Sequence, residues 1–225
     1  MFSALKEGAI FIADAHYPHH GDGFVEILRR LESGTLQTSQ LFLMGDNFDI
    51  LFGHNDLVLE LQKETIALLN HLSKTIEIHY FEGNHDFLLG EIFPTIKVYP
   101  KEKQPQFFLY GDQKVGLSHG DKYEMGWYYH LFSVLLRNRF VLPWINLIVR
   151  KMLIKLPQKK ICHSMENFKK RVEKIVRHYP KDVDLIIEGH YHQACIIGNY
   201  IALPSLACQS QFGVMKKGSL VFKDV

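Results

Sequence analysis

The sequence predicts an α/β fold in which a largely parallel or mixed sheet is covered by helices. Three observations predict it. Continuous apolar runs alternate with stretches of helical periodicity in the N-terminal part of the chain. The runs lack polar alternation, as strands buried on both faces do. Each also stops abruptly at a cluster of Gly, Asp, Asn or His, which places polar loops at the strand ends.

Taken in order, AIFIA at 9–13 reads as a central strand that ends in Asp14 and His16. DGFVEILRRL places Phe24, Ile27, Leu28 and Leu31 at three-to-four spacing, an amphipathic helix. LFLM at 41–44 is a second buried strand and runs at once into GDNFD. A helix is expected over 57–72, with Leu61, Leu68, Leu69 and Leu72 near one face. IEIHYF then leads to GNHD. Beyond Pro94, FFLY and KVGLSH flank a tight turn at Gly111-Asp112, and the second strand ends at His119, Gly120 and Asp121. VDLIIEGHYH repeats the pattern before His190 and His192, and ACIIGNYIAL and GSLVFKD read as closing strands around glycine turns.

The chain is long enough for one substantial core, and 225 residues set it near the upper end for a single domain. With 47% apolar and 22% charged residues it is neither disordered nor collagenous. A net charge of +2 says little about partners. Cys162, Cys195 and Cys208 lack paired spacing, so neither a zinc knuckle nor a disulfide scaffold is expected. They suit a reducing cytosol and read as small hydrophobes in or near the core. The N-terminus does not read as a secretory signal, since Glu7 and Gly8 interrupt its apolar run. The apolar tract at 140–149 is too short to span a bilayer.

Five strand ends therefore carry Asp14/His16, Asp46/Asn47/Asp49, Asn84/His85/Asp86, His119/Asp121 and His190/His192. Ligands of open α/β sheets collect outside the carboxyl ends of strands, so these groups are expected to meet in one cleft. Turn formation explains Gly, Asp and Asn, but histidine is not a favoured turn residue. Oxygen and imidazole donors without thiolate fit manganese, iron(II) or zinc. Six or seven ligands exceed one ion's needs. Two ions about 3.5–4 Å apart would use them and would clamp a phosphoryl group beside an activated water. Asp46, next to Gly45, is the expected bridge, and His85 is left to serve the leaving group.

DAH, GDNFD, GNHD, SHGD and GHYH form an ordered series that resembles the calcineurin-like metallophosphoesterases, covering Asp14 to His192. The resemblance implies a four-layer αββα sandwich. It implies that Asp14, His16, Asp46 and His192 hold one ion and that Asp46, Asn84, His119 and His190 hold the other. It also implies a catalytic His85 supported by Asp86, with Asp49 behind a ligand rather than on a metal. Asp121 stands where many members carry a second histidine, and is placed with Asp49 behind the ligands.

GDNFDILFG, GNHDFLLG and SHGD further resemble the UDP-2,3-diacylglucosamine pyrophosphatase branch. That implies manganese-dependent release of UMP from an acylated sugar nucleotide in lipid A synthesis, at the cytoplasmic face of the inner membrane. His85 departs from the arginine usual in that branch.

Residues 122–182 read as a helical cap inserted in the single domain 1–225. Between 122 and 160 eight Lys/Arg face only one acidic residue, Glu124, among many aromatic and aliphatic side chains. That composition suits acyl chains, an anionic head group and contact with anionic lipid. It is too apolar for a nucleic-acid tracker. Lys122, Tyr128, Arg137, Arg139 and Lys159 are the candidate substrate contacts. A packed hairpin with outward arginines is the structural alternative. General hydrolysis of soluble phosphoesters and a non-catalytic scaffold are the competing functions.

Overall fold

The computed structural model describes residues 2–123, 151 and 160–225. In chain order the elements begin with β1 (Ser3–Ala4), β2 (Ile10–Ile12), α1 (Gly23–Glu32), β3 (Gln40–Leu43) and β4 (Leu51–Phe52). Next come α2 (Asp56–Leu61), α3 (Lys63–Leu72), β5 (Glu77–Phe81), β6 (Asp86–Phe87) and β7 (Lys97–Tyr99). The hairpin β8 (Gln106–Tyr110) and β9 (Gln113–Ser118) follows. Further along lie α4 (Phe168–Val176), β10 (Leu185–Glu188), β11 (Cys195–Ile197) and β12 (Tyr200–Ala202). The described chain closes with α5 (Leu206–Gln209), β13 (Gln211–Lys216) and β14 (Ser219–Asp224).

Alternation along the strands builds the layers. In β2, Ile10 and Ile12 face a core shared with α1 and α3, while Phe11 faces the opposite way. In β3, Leu41 and Leu43 join the first core and Phe42 the second. The second core also takes Phe108, Leu117, Ile187 and Ile201, which belong to the other sheet. That sheet turns Ile186 and Tyr200 onto Phe168, Val172 and Ile175 of α4. Helices, sheet, sheet and helix therefore stack with three cores between them, the αββα sandwich expected. Each fully buried aliphatic or aromatic side chain adds roughly 1.5–3 kcal/mol by leaving water. Burial of both sheet faces explains why the strands read as continuous apolar runs.

One sheet has the order β14-β13-β2-β3-β5-β7 and the other β1-β8-β9-β10-β12-β11, with a small β4-β6 pair. The three adjacent strands β2, β3 and β5 run parallel, as do β9 and β10. Parallel neighbours bring their carboxyl ends to one edge, and these five strands are the ones followed by polar clusters.

Two local expectations are corrected. The helix expected over 57–72 breaks at Gln62, whose backbone leaves helical geometry (φ −109°, ψ 9°) between α2 and α3. The break turns Gln62 inward at 4% exposure and leaves Leu61 at 55%, so Leu61 is not on the buried stripe. β13 was not anticipated, because Gly213 interrupts its apolar run. A Cβ there would lie 2.8 Å from Leu220 Cδ2, so a larger residue would require the Leu220 side chain to move. The inserted cap falls largely outside the described residues, as do Tyr128, Arg137, Arg139 and Lys159; α4 is its returning helix. No helix among the described residues is long and apolar enough to cross a membrane.

Candidate metal centre

The five strand ends converge. Asp14, His16 and His192 offer ligand atoms within 4.8 Å of one another, and Asp46, His119 and His190 form a second such group. Their backbones are unusual. Asp14, His16, Asp46, His190 and His192 all adopt positive φ between 46° and 66°, a region few non-glycine residues occupy. The chain thus leaves extended geometry at these residues, which follow β2, β3 and β10. Glycine makes the approach possible: a Cβ on Gly45 would lie 2.3 Å from His119 Nδ1, and one on Gly83 would lie 2.2 Å from Asp46 Oδ1.

Hydrogen bonds fix which atom each ligand can offer. His119 Nδ1 lies 2.8 Å from the Met44 carbonyl and donates to it, which directs Nε2 towards Asp46 Oδ2 at 3.7 Å and Asn84 Oδ1 at 3.4 Å. Gln104, buried, accepts the His119 backbone N–H at 2.7 Å and braces the strand end. His16 Nδ1 lies 3.4 Å from Asp49, while its buried Nε2 has no partner among the described residues. Asp14 accepts the His190 backbone N–H at 2.8 Å and lies 3.3 Å from His192 Nε2. Asp14 is held from below by Ser205, whose hydroxyl donates to its carbonyl at 2.8 Å. The imidazole nitrogen of His16 and the convergent carboxylates are what divalent cations seek, so the residues present fit a pair of ions.

The electrostatics agree. Burial alone would raise Asp46, but His119 and then His85 and His16 hold its pKa far below the carboxylate range. Burial would lower His119, yet Asp46, Asp121 and Asp14 push it up to about 9. Burial and then His119, whose ring centroid is 5.0 Å away, drive His190 down to about 4. Anionic carboxylates thus compete for positive charge in a buried site.

His85 stands beside both groups. Its backbone N–H donates to Asp46 Oδ1 at 2.8 Å, and its Nδ1 lies 2.7 Å from the Asp49 carbonyl. The ring centroid is 5.0 Å from that of His16. Asp86 was expected behind the His85 ring, but its carboxylate accepts from the backbone N–H groups of Asp46, Asn47 and Gly83 and from Tyr80 Oη at 2.7–2.9 Å. Successive residues point opposite ways, so Asp86 organises the loop beneath the ligands while the Asp49 carbonyl meets the imidazole. Asp49 also holds His19 Nδ1 at 2.7 Å. Asp121 pairs with buried Lys101 at 2.6 Å. Lys122 donates to the Gln104 carbonyl and is not on the cleft wall.

A cleft of about 290 Å³ opens over the centre, lined by His16, Asp46, Asn84, His85, His190 and His192 and closed on one side by Lys160, Ile161, His163, Met165, Arg171 and Tyr191. The sequence offered no signal for Gln104 or Arg171, because each acts through a contact between distant segments. His163, an exposed residue, also lies on the cleft wall. The expectation of unpaired cysteines is overturned: Cys162 and Cys208 form a disulfide, 46 residues apart in sequence. The segment before α4 brings Cys162 onto α5, where Cys208 Sγ also lies 3.6 Å from His192 Nδ1.

This architecture and the two Asp/His groups are consistent with a metal-dependent phosphoesterase, and the calcineurin-like phosphoesterase family profile matches residues 9–194. The chain belongs to that family. Among curated relatives, a UDP-2,3-diacylglucosamine hydrolase of Hamiltonella defensa subsp. Acyrthosiphon pisum is 28% identical over 207 residues, covering 83% of this chain and 78% of that protein. The enzyme of the same name from Photorhabdus laumondii is 33% identical over 116 residues, covering 50% of this chain and 47% of that one. A dimetal phosphatase from Danio rerio is similar in structure, with TM-score 0.49 and 14% identity over 96% of this chain and 95% of that one.

Proposed function

We propose that the chain hydrolyses the diphosphate bond of UDP-2,3-diacylglucosamine, giving UMP and 2,3-diacylglucosamine 1-phosphate. The observation that carries this reading is the convergence of two Asp/His groups in a cleft walled by cations. Relatives matching most of the chain and named for that substrate support the finer assignment. Asp14, His16, Asp46 and His192 would hold one divalent ion; Asp46, Asn84, His119 and His190 would hold the other. Manganese is the ion favoured by this donor set, with iron and zinc as alternatives. Bound ions supply charge neutralisation at the attacked phosphoryl group and an acidified water. His85 moves a proton to the departing oxygen. Its Nδ1 is committed to the Asp49 carbonyl, so the transfer falls to Nε2. Asp49 and Gln104 keep His16 and His119 oriented.

The acyl chains would be sheltered by the inserted cap 122–182, with Tyr128, Arg137, Arg139 and Lys159 as proposed contacts. The membrane location is the cytoplasmic face of the inner membrane, where anionic lipid would meet the basic cap. A second reading, hydrolysis of soluble phosphoesters, is favoured by His85 itself, since a titratable donor at that position serves alkoxide leaving groups that a permanent cation cannot protonate.

Product analysis with purified protein and added manganese separates the two. UMP released from the diacylated substrate, with negligible turnover of aryl phosphates and none after chelation, supports the first. The opposite preference supports the second. A metal-loaded protein inactive on both would leave a non-catalytic scaffold.

A further inference from the structure

Arg171 is the feature that the metal chemistry leaves unused. It lies on α4, an element that contributes no metal-site residue, yet its side chain reaches the wall of the metal cleft. The guanidinium carbon sits 5.8 Å from the centroid of the Tyr191 ring. Among the described residues no carboxylate pairs with it. A half-buried guanidinium normally has one.

The platform beneath it is rigidly coupled to the reaction centre. Tyr191 lies between His190 and His192, and its hydroxyl donates to the Gly120 carbonyl at 2.9 Å, next to His119. Tyr191 is itself buried at 4% exposure, and Phe168 of α4 packs against it with ring centroids 5.2 Å apart. A guanidinium carries its N–H donors in one plane and offers them to an oxyanion in paired geometry. Among the described residues, Asp46 is the only carboxylate on the cleft wall, and it belongs to the metal group. On the rest of the described wall, Lys160 and Arg171 supply positive charge that can meet an anion.

Resting on the phosphoesterase reading, we propose that Arg171, set over the Tyr191 ring, binds the phosphoryl group that is not attacked and so selects diphosphate substrates over those with one phosphorus. In hydrolysis the water oxygen bonds to the attacked phosphorus and the bridging P–O bond breaks. The electron pair leaves with the bridging oxygen, which stays on the second phosphoryl group. A diphosphate diester carries one negative charge on each phosphorus. The charge on the second rises as the bond breaks, and Arg171 is placed to meet it.

Two probes that differ by one phosphoryl group test this: the methyl ester of UMP and the β-methyl ester of UDP. Each is measured as an inhibitor of bis(4-nitrophenyl) phosphate hydrolysis by the manganese-loaded protein. The wild type should bind the diphosphate ester more tightly by about 10- to 100-fold, the range for a charge-assisted pair. Arg171→Ala should bring that ratio close to one while kcat on the small ester stays within about twofold. Arg171→Lys should recover only part of the ratio, since it lacks the planar fork. An unchanged ratio in Arg171→Ala, equal weakening of both probes, or a wild-type ratio of one would overturn the assignment. If the small ester is not turned over, calorimetric titration of the two probes into the holoprotein gives the same ratio with the same readings. Failure of the wild type to release UMP from UDP-2,3-diacylglucosamine would defeat the substrate reading alone, because the ratio does not depend on it.

Discussion

Asp14, His16, Asp46, His190 and His192 hold left-handed backbone geometry that costs of order 1 kcal/mol or more per residue. Asp, Asn and His tolerate that region better than branched residues do, so side-chain chemistry and backbone geometry select the same residue types. The roles proposed for two neighbours separate cleanly. Asp46→Ala removes a carboxylate that sits against His119 and accepts from the His85 backbone. It is expected to lose both bound metal, by elemental analysis, and turnover. His85→Ala should keep the metal and lose turnover by about 100- to 10,000-fold. Loss of both ions from His85→Ala would show that its assignment as proton donor is mistaken.

Among the elements, the turn after β3 is the most constrained. Gly45 combines φ +88° with a Cβ site only 2.3 Å from His119 Nδ1, whereas Gly34 has φ +75° and open space around it. Gly34→Ala should therefore cost about 1 kcal/mol through backbone strain alone. Gly45→Ala should cost at least about 2 kcal/mol and also displace His119. Denaturant titration of the two variants after chelation compares the stabilities, and metal content reports the displacement. Equal costs would remove the steric argument.

The start of β5 has a separate role in stability. Glu77 pairs with Lys6 at 2.8 Å and Lys97 at 2.6 Å, joining β5 to β7 and to the N-terminal segment. Burial opposes its ionisation, but Lys6 and Lys97 overcome that and bring its pKa down to about 2. A depressed carboxylate pKa adds stability that is complete above the unfolded value near 4.5 and disappears as pH falls through about 2. Glu77→Gln should therefore be less stable than the wild type near neutrality. The gap should close between pH 4.5 and 2, as read from melting temperatures; a gap constant across that window would refute the linkage.

At the scale of the whole molecule, two sheets are held face to face by one apolar core, and the metal centre sits where both sheets end. Cations that bind only this assembled edge should stabilise the fold. At a hundredfold excess over Kd the linkage is about 2.7 kcal/mol, or roughly 5–10 °C for a chain of this length. Chelation should lower the melting temperature by that amount, manganese should restore it, and Asp46→Ala should show no response. A chelated wild type that melts unchanged would argue that the clusters bind no ion.

Much of this was legible one segment at a time. Strand runs buried on both faces, the α1 stripe, the hairpin turn at Gly111 and the polar residues after each strand are local patterns set by periodicity and turn chemistry. So were the ordered Asp, Asn and His motifs. What tertiary structure decided was partnership. Asp49 meets His16, His19 and the His85 side, Gln104 braces His119, Cys162 joins Cys208, and Arg171 reaches Tyr191 only after the sheets have packed. A sequence records what each residue can bind. Which atoms come within bonding distance across tens of residues is fixed by the burial of apolar faces, which is spread over the whole chain and leaves no mark at either partner.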